Sequence, residues 1–414
     1  MPKRIAIYNL SIGGSVGGAE KRTLVLAERL ARKYKVTLIV DGSHPISDLV
    51  TFFGVDLTGV ELLPLHLPIQ SRLRRLTSPH CGALVGTRRI HALLLDLRLA
   101  LERTYFQQIH ALRFDLLINN NGFSTLPCPA PHGIYMCMFP HELKGELRPD
   151  ENRSFLRKLY VNIGNRVVGM SPATLDSYDV ITANSQFTSE WIRRLWRHDS
   201  SVVYSACDDM GPAAAKRPMI MHVGRFVEEW RNDYKHQRTL LEEFRRCRRL
   251  IQGGWELHFA GSLLSDRDGT ATIARLEREA AGLPVVIHRN ASFESLRDLY
   301  RQSSIYWHAT GYGSSPELHP GKQEHFGITT VEAMSAGAVP VVINSGGQRE
   351  TVQHGENGFL WNSLKELQEY TSRLADDPAL LKQFSDRAVA SSKQFSRAAF
   401  ADRIENLVDS ILNT

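Results

Sequence analysis

The chain has 414 residues, 43% hydrophobic and 23% charged, with a net charge of +6 at pH 7, a length that suits two domains of ordinary size, each able to bury its own core. It carries no low-complexity tract and no apolar run long enough to cross a membrane, which excludes fibrous, disordered and membrane-spanning classes. The charge is uneven: residues 1–200 hold 25 Lys/Arg against 17 Asp/Glu, and residues 201–414 hold 25 against 27, so the first half calls for an anionic partner such as a phosphorylated substrate, a membrane surface or nucleic acid.

Met1-Pro2-Lys3-Arg4 leads straight into a short strand with no long apolar segment or small-residue cleavage site, so a cytoplasmic protein is expected. Ile5–Tyr8 followed by glycines reads as a buried strand, Ala19 to Arg32 as a helix and Val36–Val40 as the next strand, a βαβ opening. Between about Gln70 and Gln108 the alternation lapses: seven arginines (72, 74, 75, 88, 89, 98 and 103) face only Asp96 and Glu102, and Leu93, Leu94, Leu97 and Leu101 recur at helical spacing. That is either a basic amphipathic surface for anionic lipid headgroups, making the chain a peripheral membrane protein on the inner face, or an ordinary core-packed helix with solvated arginines. Strands follow at Leu116–Ile118 and Val180–Thr182, the latter leading through Asn184-Ser185 into a helix at Phe187–Trp196.

The Pro/Gly/Ala-rich run from Asp208 to Pro218 reads as a linker. Beyond it a second series has strands at 219–223, 256–260, 285–287, 305–307 and 339–343, with helices at 236–249, 270–281, 293–302, 328–337, 364–374 and 378–390. Strand–helix alternation implies parallel sheets covered on both faces. The fold class is therefore α/β: two doubly wound Rossmann-like domains at 1–207 and 208–395, facing a cleft, with the helix at about 396–414 packing back on the first. Its apolar positions are Phe400, Ile404, Leu407 and Ile411. The five cysteines (81, 128, 137, 207 and 247) form no CxxC pair and are odd in number, as reduced thiols would be.

Chemistry concentrates in the second half. Glu324-His325-Phe326-Gly327-Ile328-Thr329 leads into an Ala-rich helix carrying Glu332. The bare amides of a helix start beside a glycine suit a phosphate, and a carboxylate on each side of it suits the hydroxyls of the attached sugars. His222-Val223-Gly224-Arg225 and Lys235 bring two cations to the carboxyl edge of the second sheet, where a departing diphosphate needs them.

In order along the chain, Gly17-Gly18-Ala19-Glu20, Asn184-Ser185-Gln186-Phe187, Val223-Gly224-Arg225 with Lys235, Glu256–Gly261, Tyr306–Ala309, the Glu-x7-Glu run and Asn344–Gly347 resemble glycosyltransferase family 4. Its members are retaining, nucleotide-sugar-dependent enzymes of GT-B architecture, and the Glu-His-Phe-Gly-Ile form is similar to that of mannosyltransferases building lipid-linked glycans. The resemblance implies Glu324 on the donor sugar, Glu332 on the ribose, and amides of Phe326, Gly327, Ile328 and Thr329 around the diphosphate with Arg225 and Lys235. It further implies Gly17 and Gly18 close to donor or acceptor, Asn290 to Ser292 beside the base, and His141 near the reacting sugar, with His132 as rival. The expected reaction is metal-independent and cofactor-free transfer of a hexose, mannose from GDP-mannose first, to a glycan acceptor, polyprenyl-diphosphate-linked, in polysaccharide or glycolipid biosynthesis. UDP-glucose and UDP-N-acetylglucosamine are the rival donors.

Three alternatives are weaker. An NAD-dependent oxidoreductase needs G-x-G-x-x-G, and Gly13-Gly14-Ser15-Val16-Gly17-Gly18 has Ser15 at the second glycine. A sugar-nucleotide epimerase has no use for a basic acceptor-binding half. Nucleic-acid binding lacks interleaved aromatics or a recognised module. Asp266-Arg267-Asp268, an Asp-x-Asp of metal-binding type, lies in a polar loop far from the phosphate elements.

Overall fold

The computed structural model describes residues 2–413 apart from 14–16, 43–44, 66–101, 103, 123, 142–169, 227–234 and 264–266, and apart from the side chains of 267–269. Most of the basic 70–108 segment and the Asp-x-Asp side chains therefore lie outside the described residues. The chain forms two compact units, Met1–Tyr204 with Ala401–Thr414, and Ser205–Phe400.

The first unit is a seven-stranded parallel sheet: β1 (Arg4–Tyr8), β2 (Lys35–Val40), β3 (Val60–Pro64), β4 (Leu116–Asn119), β5 (His132–Cys137), β6 (Val180–Ala183) and β7 (Ser201–Val202) in the order β3-β2-β1-β4-β5-β6-β7. Helices α1 (Gly18–Ala31), α2 (Ser47–Phe53), α3 (Tyr105–Ala111), α4 (Pro172–Leu175) and α5 (Gln186–Trp196) accompany it. Local chemistry explains α5: the Ser185 hydroxyl accepts the Thr188 amide at 3.0 Å, the cap expected of a helix start. Its Thr188, Ile192 and Trp196 recur every fourth residue and are buried. Tyr135 packs edge-on against both Tyr178 and Trp196, with centroids 5.3 and 5.7 Å away.

The second unit is a six-stranded parallel sheet: β8 (Arg217–Val223), β9 (Glu256–Gly261), β10 (Val285–Arg289), β11 (Ser303–His308), β12 (Val339–Ile343) and β13 (Phe359–Trp361), ordered β10-β9-β8-β11-β12-β13. Its helices are α6 (Gln237–Arg246), α7 (Arg248–Gln252), α8 (Arg267–Ala280), α9 (Phe293–Gln302), α10 (Ile328–Ser335), α11 (Gln348–Thr351), α12 (Leu364–Asp376) and α13 (Pro378–Ser392). Strand periodicity sorts the core. Ile305 and Trp307 of β11 enter the cluster around Phe244, Phe259 and Trp361, whereas Tyr306 enters the opposite one with Tyr300 and Met334. The single helix expected over 236–249 breaks at Cys247 (ψ 56°), and the break keeps Cys247 and Leu250 buried while Arg246, Arg248 and Arg249 stay exposed.

Helix α14 (Arg397–Leu412) closes the chain. Beyond Ala401 it belongs to the first unit, where Arg29 pairs with Asp402 at 2.8 Å and Glu405 at 2.5 Å, and Lys33 with Asp409 at 2.5 Å. Its buried side chains include Ile404, Val408 and Ile411; Val408, not Leu407, is the buried member of that turn. Among the described residues no helix is long and apolar enough to cross a membrane.

Candidate functional site

In doubly wound sheets, ligands bind outside the carboxyl ends of the strands where the strand order reverses. In the second unit that point lies between β8 and β11. Past the end of β8, Gly224 is crowded: a Cβ there would lie 3.1 Å from both Lys235 Cγ and His222 Nε2. On β9, a Cβ on Gly261 would stand 2.0 Å from the Gly224 carbonyl oxygen. Glycine at both positions brings the backbones together and lays the Lys235 side chain over them.

Lys235 reaches the end of β11. Its Nζ donates to Glu324 Oε2 at 2.9 Å and lies 3.4 Å from Thr310 Oγ1. The same Oε2 is 3.1 Å from Nε2 of His308, a fully buried ring. Burial opposes a charge on Glu324, but the Lys235 cation and then the His308 contact outweigh it and hold the carboxyl well below its usual range. Burial pushes His308 below the ordinary histidine value against the pull of Glu324. His222, whose Nδ1 donates to the Trp307 carbonyl at 3.0 Å, is pushed by burial and by His308 down to about 3. Near neutral pH these directions favour a charged carboxylate at Glu324 and uncharged rings at His308 and His222.

The segment after Glu324 is held by a second close approach. The Gly347 amide donates to the Glu324 carbonyl at 2.8 Å, and a Cβ on Gly347 would lie 2.3 Å from the His325 carbonyl oxygen. Gly327 then caps α10 in the left-handed region, φ 97°, with no side-chain cap. Thr330 and Val331 return their amides to the Gly327 carbonyl, which leaves those of Ile328 and Thr329 without a backbone acceptor among the described residues, at the positive end of the helix. Tyr306 donates to Thr329 Oγ1 at 2.8 Å, and Tyr300 approaches Glu332 Oε2 at 3.4 Å. Glu332 is 5% exposed, one turn into α10.

Glu324, Lys235, Gly327, Ile328, Thr329 and Glu332 therefore gather along one stretch of strand ends and helix start. Phe326 is buried, its ring edge-on to Phe395, so only its backbone is available to a ligand. Arg225 also follows β8; its side chain is exposed and its carbonyl accepts from Gln237 at 3.1 Å. Asn290 follows β10 with φ 48°, and its Oδ1 accepts the Leu263 amide at 2.8 Å, which commits that oxygen to the loop.

In the first unit Gly17 is the N-cap of α1, with Glu20 Oε2 2.8 Å from where its Cβ would stand, and Gly18 opens the helix. His141 follows the carboxyl end of β5, and its carbonyl accepts from Trp196 Nε1 at 2.6 Å. His132 begins the same strand, at the amino end of the sheet, 3.5 Å from Asp179. Among the described residues no three His, Cys, Asp or Glu side chains converge as a metal-binding group. Sequence reasoning assigned no role to His222, His308, Thr310 or Tyr300. The available signal was a histidine ending each of the runs Met219–His222 and Ile305–His308, at adjacent strand ends.

Comparison with known proteins returned three kinds of likeness. The family model described as Glycosyl transferases group 1 matches residues 210–390. Among curated proteins, GDP-Man:Man(3)GlcNAc(2)-PP-Dol alpha-1,2-mannosyltransferase of Dictyostelium discoideum is 26% identical over 253 residues, 56% of this chain and 48% of that protein. Alpha-1,3/1,6-mannosyltransferase ALG2 of Homo sapiens is 23% identical over 314 residues, 67% of this chain and 68% of that one. The chain spans half or less of the first curated relatives it matches, 48% and 30% for the Dictyostelium and Yarrowia lipolytica proteins. Among solved structures, sucrose-phosphate synthase from Thermosynechococcus elongatus superposes with a TM-score of 0.68 at 17% identity, covering 99% of each chain. Anabaena HepE, in complex with UDP and glucose, superposes with a TM-score of 0.63 at 17% identity, covering 99% of this chain and 100% of that one. The fold these share is that of two Rossmann-like domains, the GT-B class.

Proposed function

We propose that the chain is a retaining glycosyltransferase of family 4 that moves a hexose, mannose from GDP-mannose, onto a glycan acceptor linked to a lipid diphosphate. The observation that carries this reading is the Lys235–Glu324 pair at 2.9 Å beside the uncapped start of α10. A cation and bare amides suit a diphosphate, and an adjacent ionised carboxylate suits sugar hydroxyls. In the reaction the bond from the anomeric carbon to the diphosphate breaks, and its electron pair leaves with the nucleoside diphosphate. Lys235, Arg225 and the amides of Gly327, Ile328 and Thr329 stabilise that charge. The acceptor oxygen then bonds the anomeric carbon from the same face, and its proton passes to the departing phosphate oxygen. Glu324 holds the donor sugar and Glu332 the ribose; His141 serves the reacting sugar, Gly17 and Gly18 let the backbone approach the donor phosphates or the acceptor, and the basic 70–108 segment serves the lipid headgroups at the cytoplasmic face of a membrane. No metal and no cofactor is assigned a part.

The choice of mannose and of a lipid-diphosphate acceptor is supported by what the names of the curated relatives say of those proteins, GDP-Man and PP-Dol. The test is sugar transfer with GDP-mannose, UDP-glucose and UDP-N-acetylglucosamine, each offered a prenyl-diphosphate-linked and a free glycan, together with thermal shifts by GDP, UDP, ADP and NAD. Transfer from GDP-mannose to the lipid-linked glycan is expected. Equal activity on the free glycan overturns the acceptor assignment. A shift with NAD and none with any sugar nucleotide overturns the enzyme class.

A further inference from the structure

His308 ends the central strand β11 with its ring fully buried, and each of its nitrogens has a defined neighbour. Nδ1 lies 3.4 Å from the Thr310 backbone amide, and a backbone N–H can only donate. In an uncharged ring the proton therefore sits on Nε2, which lies 3.1 Å from Glu324 Oε2 and 3.1 Å from Thr310 Oγ1. Lys235 also donates to Oε2. Both contacts thus land on one oxygen of Glu324, and Oε1 has no protein partner among the described residues.

We infer that His308 is a positioning residue: its uncharged ring donates Nε2–H to Glu324 Oε2 and so turns Oε1 toward the hydroxyls of the donor sugar. The inference rests on the glycosyltransferase reading. Lys235 alone does not fix that orientation, because an ammonium on a four-carbon stem is a point charge with three rotatable donors. The buried imidazole is rigid and aimed. Its surroundings keep it uncharged: besides burial, the Lys235 cation disfavours a second cation, against the pull of Glu324. A doubly protonated ring would lose its bond from the Thr310 amide, because Nδ1 would then carry a proton facing that N–H.

The test compares His308→Gln, whose amide nitrogen reaches the position of Nε2, with His308→Asn, whose shorter side chain does not, and with His308→Ala, all in the full chain. Alanine and asparagine are expected to lower kcat roughly ten- to a hundredfold, the size of one lost hydrogen bond to a charged group, while glutamine retains most of it. Affinity for GDP alone should stay within about twofold in all three, since Glu324 addresses the sugar and not the nucleotide. Glutamine no better than alanine, or a loss that appears equally in GDP affinity, overturns the inference while an active wild type leaves the function standing. A wild type that transfers no sugar from any donor overturns both. Should the variants fail to fold, the ring nitrogens of the isotopically labelled wild type decide by NMR. An uncharged ring protonated on Nε2 near neutral pH is expected, and the Nδ1–H tautomer or a doubly protonated ring overturns it.

Discussion

Replacing Lys235 by methionine removes the ammonium while keeping the stem that packs over Gly224, so the change isolates charge from packing. Among the described residues Glu324 is left with His308 as its remaining side-chain hydrogen-bond donor; its side chain is 20% exposed and that of Lys235 24%, so solvent screens the pair weakly. Breaking such a partly buried pair costs about 2–3 kcal/mol, or a melting temperature lower by roughly 5–10 °C at pH 7 for a domain of this size. The sign of the pH dependence follows from linkage. The folded carboxyl is held below its unfolded value, so its contribution is full above about pH 4.3 and is lost as pH falls through the folded pKa. In Lys235→Met burial is less opposed, the folded pKa rises, and that contribution shrinks. The gap between wild type and variant should therefore be widest near neutrality and narrow as the pH is brought below about 4.3, closing only as it falls through the folded pKa. Scanning calorimetry between pH 7 and pH 3.5 measures it, with transfer assays alongside in which kcat/KM falls about a hundred- to a thousandfold. A gap that is absent at neutral pH, or equally wide at both ends of the range, refutes the reasoning.

Glu324→Gln should lower transfer by about a hundredfold or more while a GDP titration remains near wild type; near-normal turnover counts against its role on the sugar. Gly347→Ala forces a Cβ to within 2.3 Å of the His325 carbonyl oxygen and 2.6 Å of Phe326 Cα, backbone that must shift, at a cost of roughly 2–3 kcal/mol. Both the melting temperature and GDP affinity should drop, and an unchanged GDP titration would mean the 324–327 segment does not hold the nucleotide. Tyr306→Phe loses the bond to Thr329 Oγ1 and should cost about 1 kcal/mol in thermal unfolding with the fold retained by circular dichroism.

Sequence patterns carried the alternation of strands and helices because buried parallel strands read as continuous apolar runs, as in Met219–Val223 and Val339–Ile343. They did not carry β3, an edge strand whose Leu62 is 47% exposed, nor β5, which opens with His132-Gly133 after three prolines at 127, 129 and 131. Glu324 and Lys235 were legible as residue types that would suit a sugar and a diphosphate, but their pairing at 2.9 Å was not. The part of His308 was not, because a histidine ending an apolar strand looks the same whether it fills a core or aims at a carboxylate. The parallel register of β8 and β11 brings His222 and His308 together across 85 intervening positions, which no local pattern encodes. Tyr300 meets Glu332 for the same topological reason. His141 was preferred over His132 only through the resemblance; the direction of β5 places the first after its carboxyl end and the second at its amino end.

The turn at Gly346-Gly347 lies flush on the main chain of residues 324–326, close enough that a methyl group has no room between them. A strap of that kind has its shape settled when the protein folds, before any substrate arrives, so little freedom remains there to be lost on association. On the proposed glycosyltransferase reading, discrimination at this wall would come from fit against a fixed contour, and loosening the strap would widen the range of molecules accepted while weakening the grip on each.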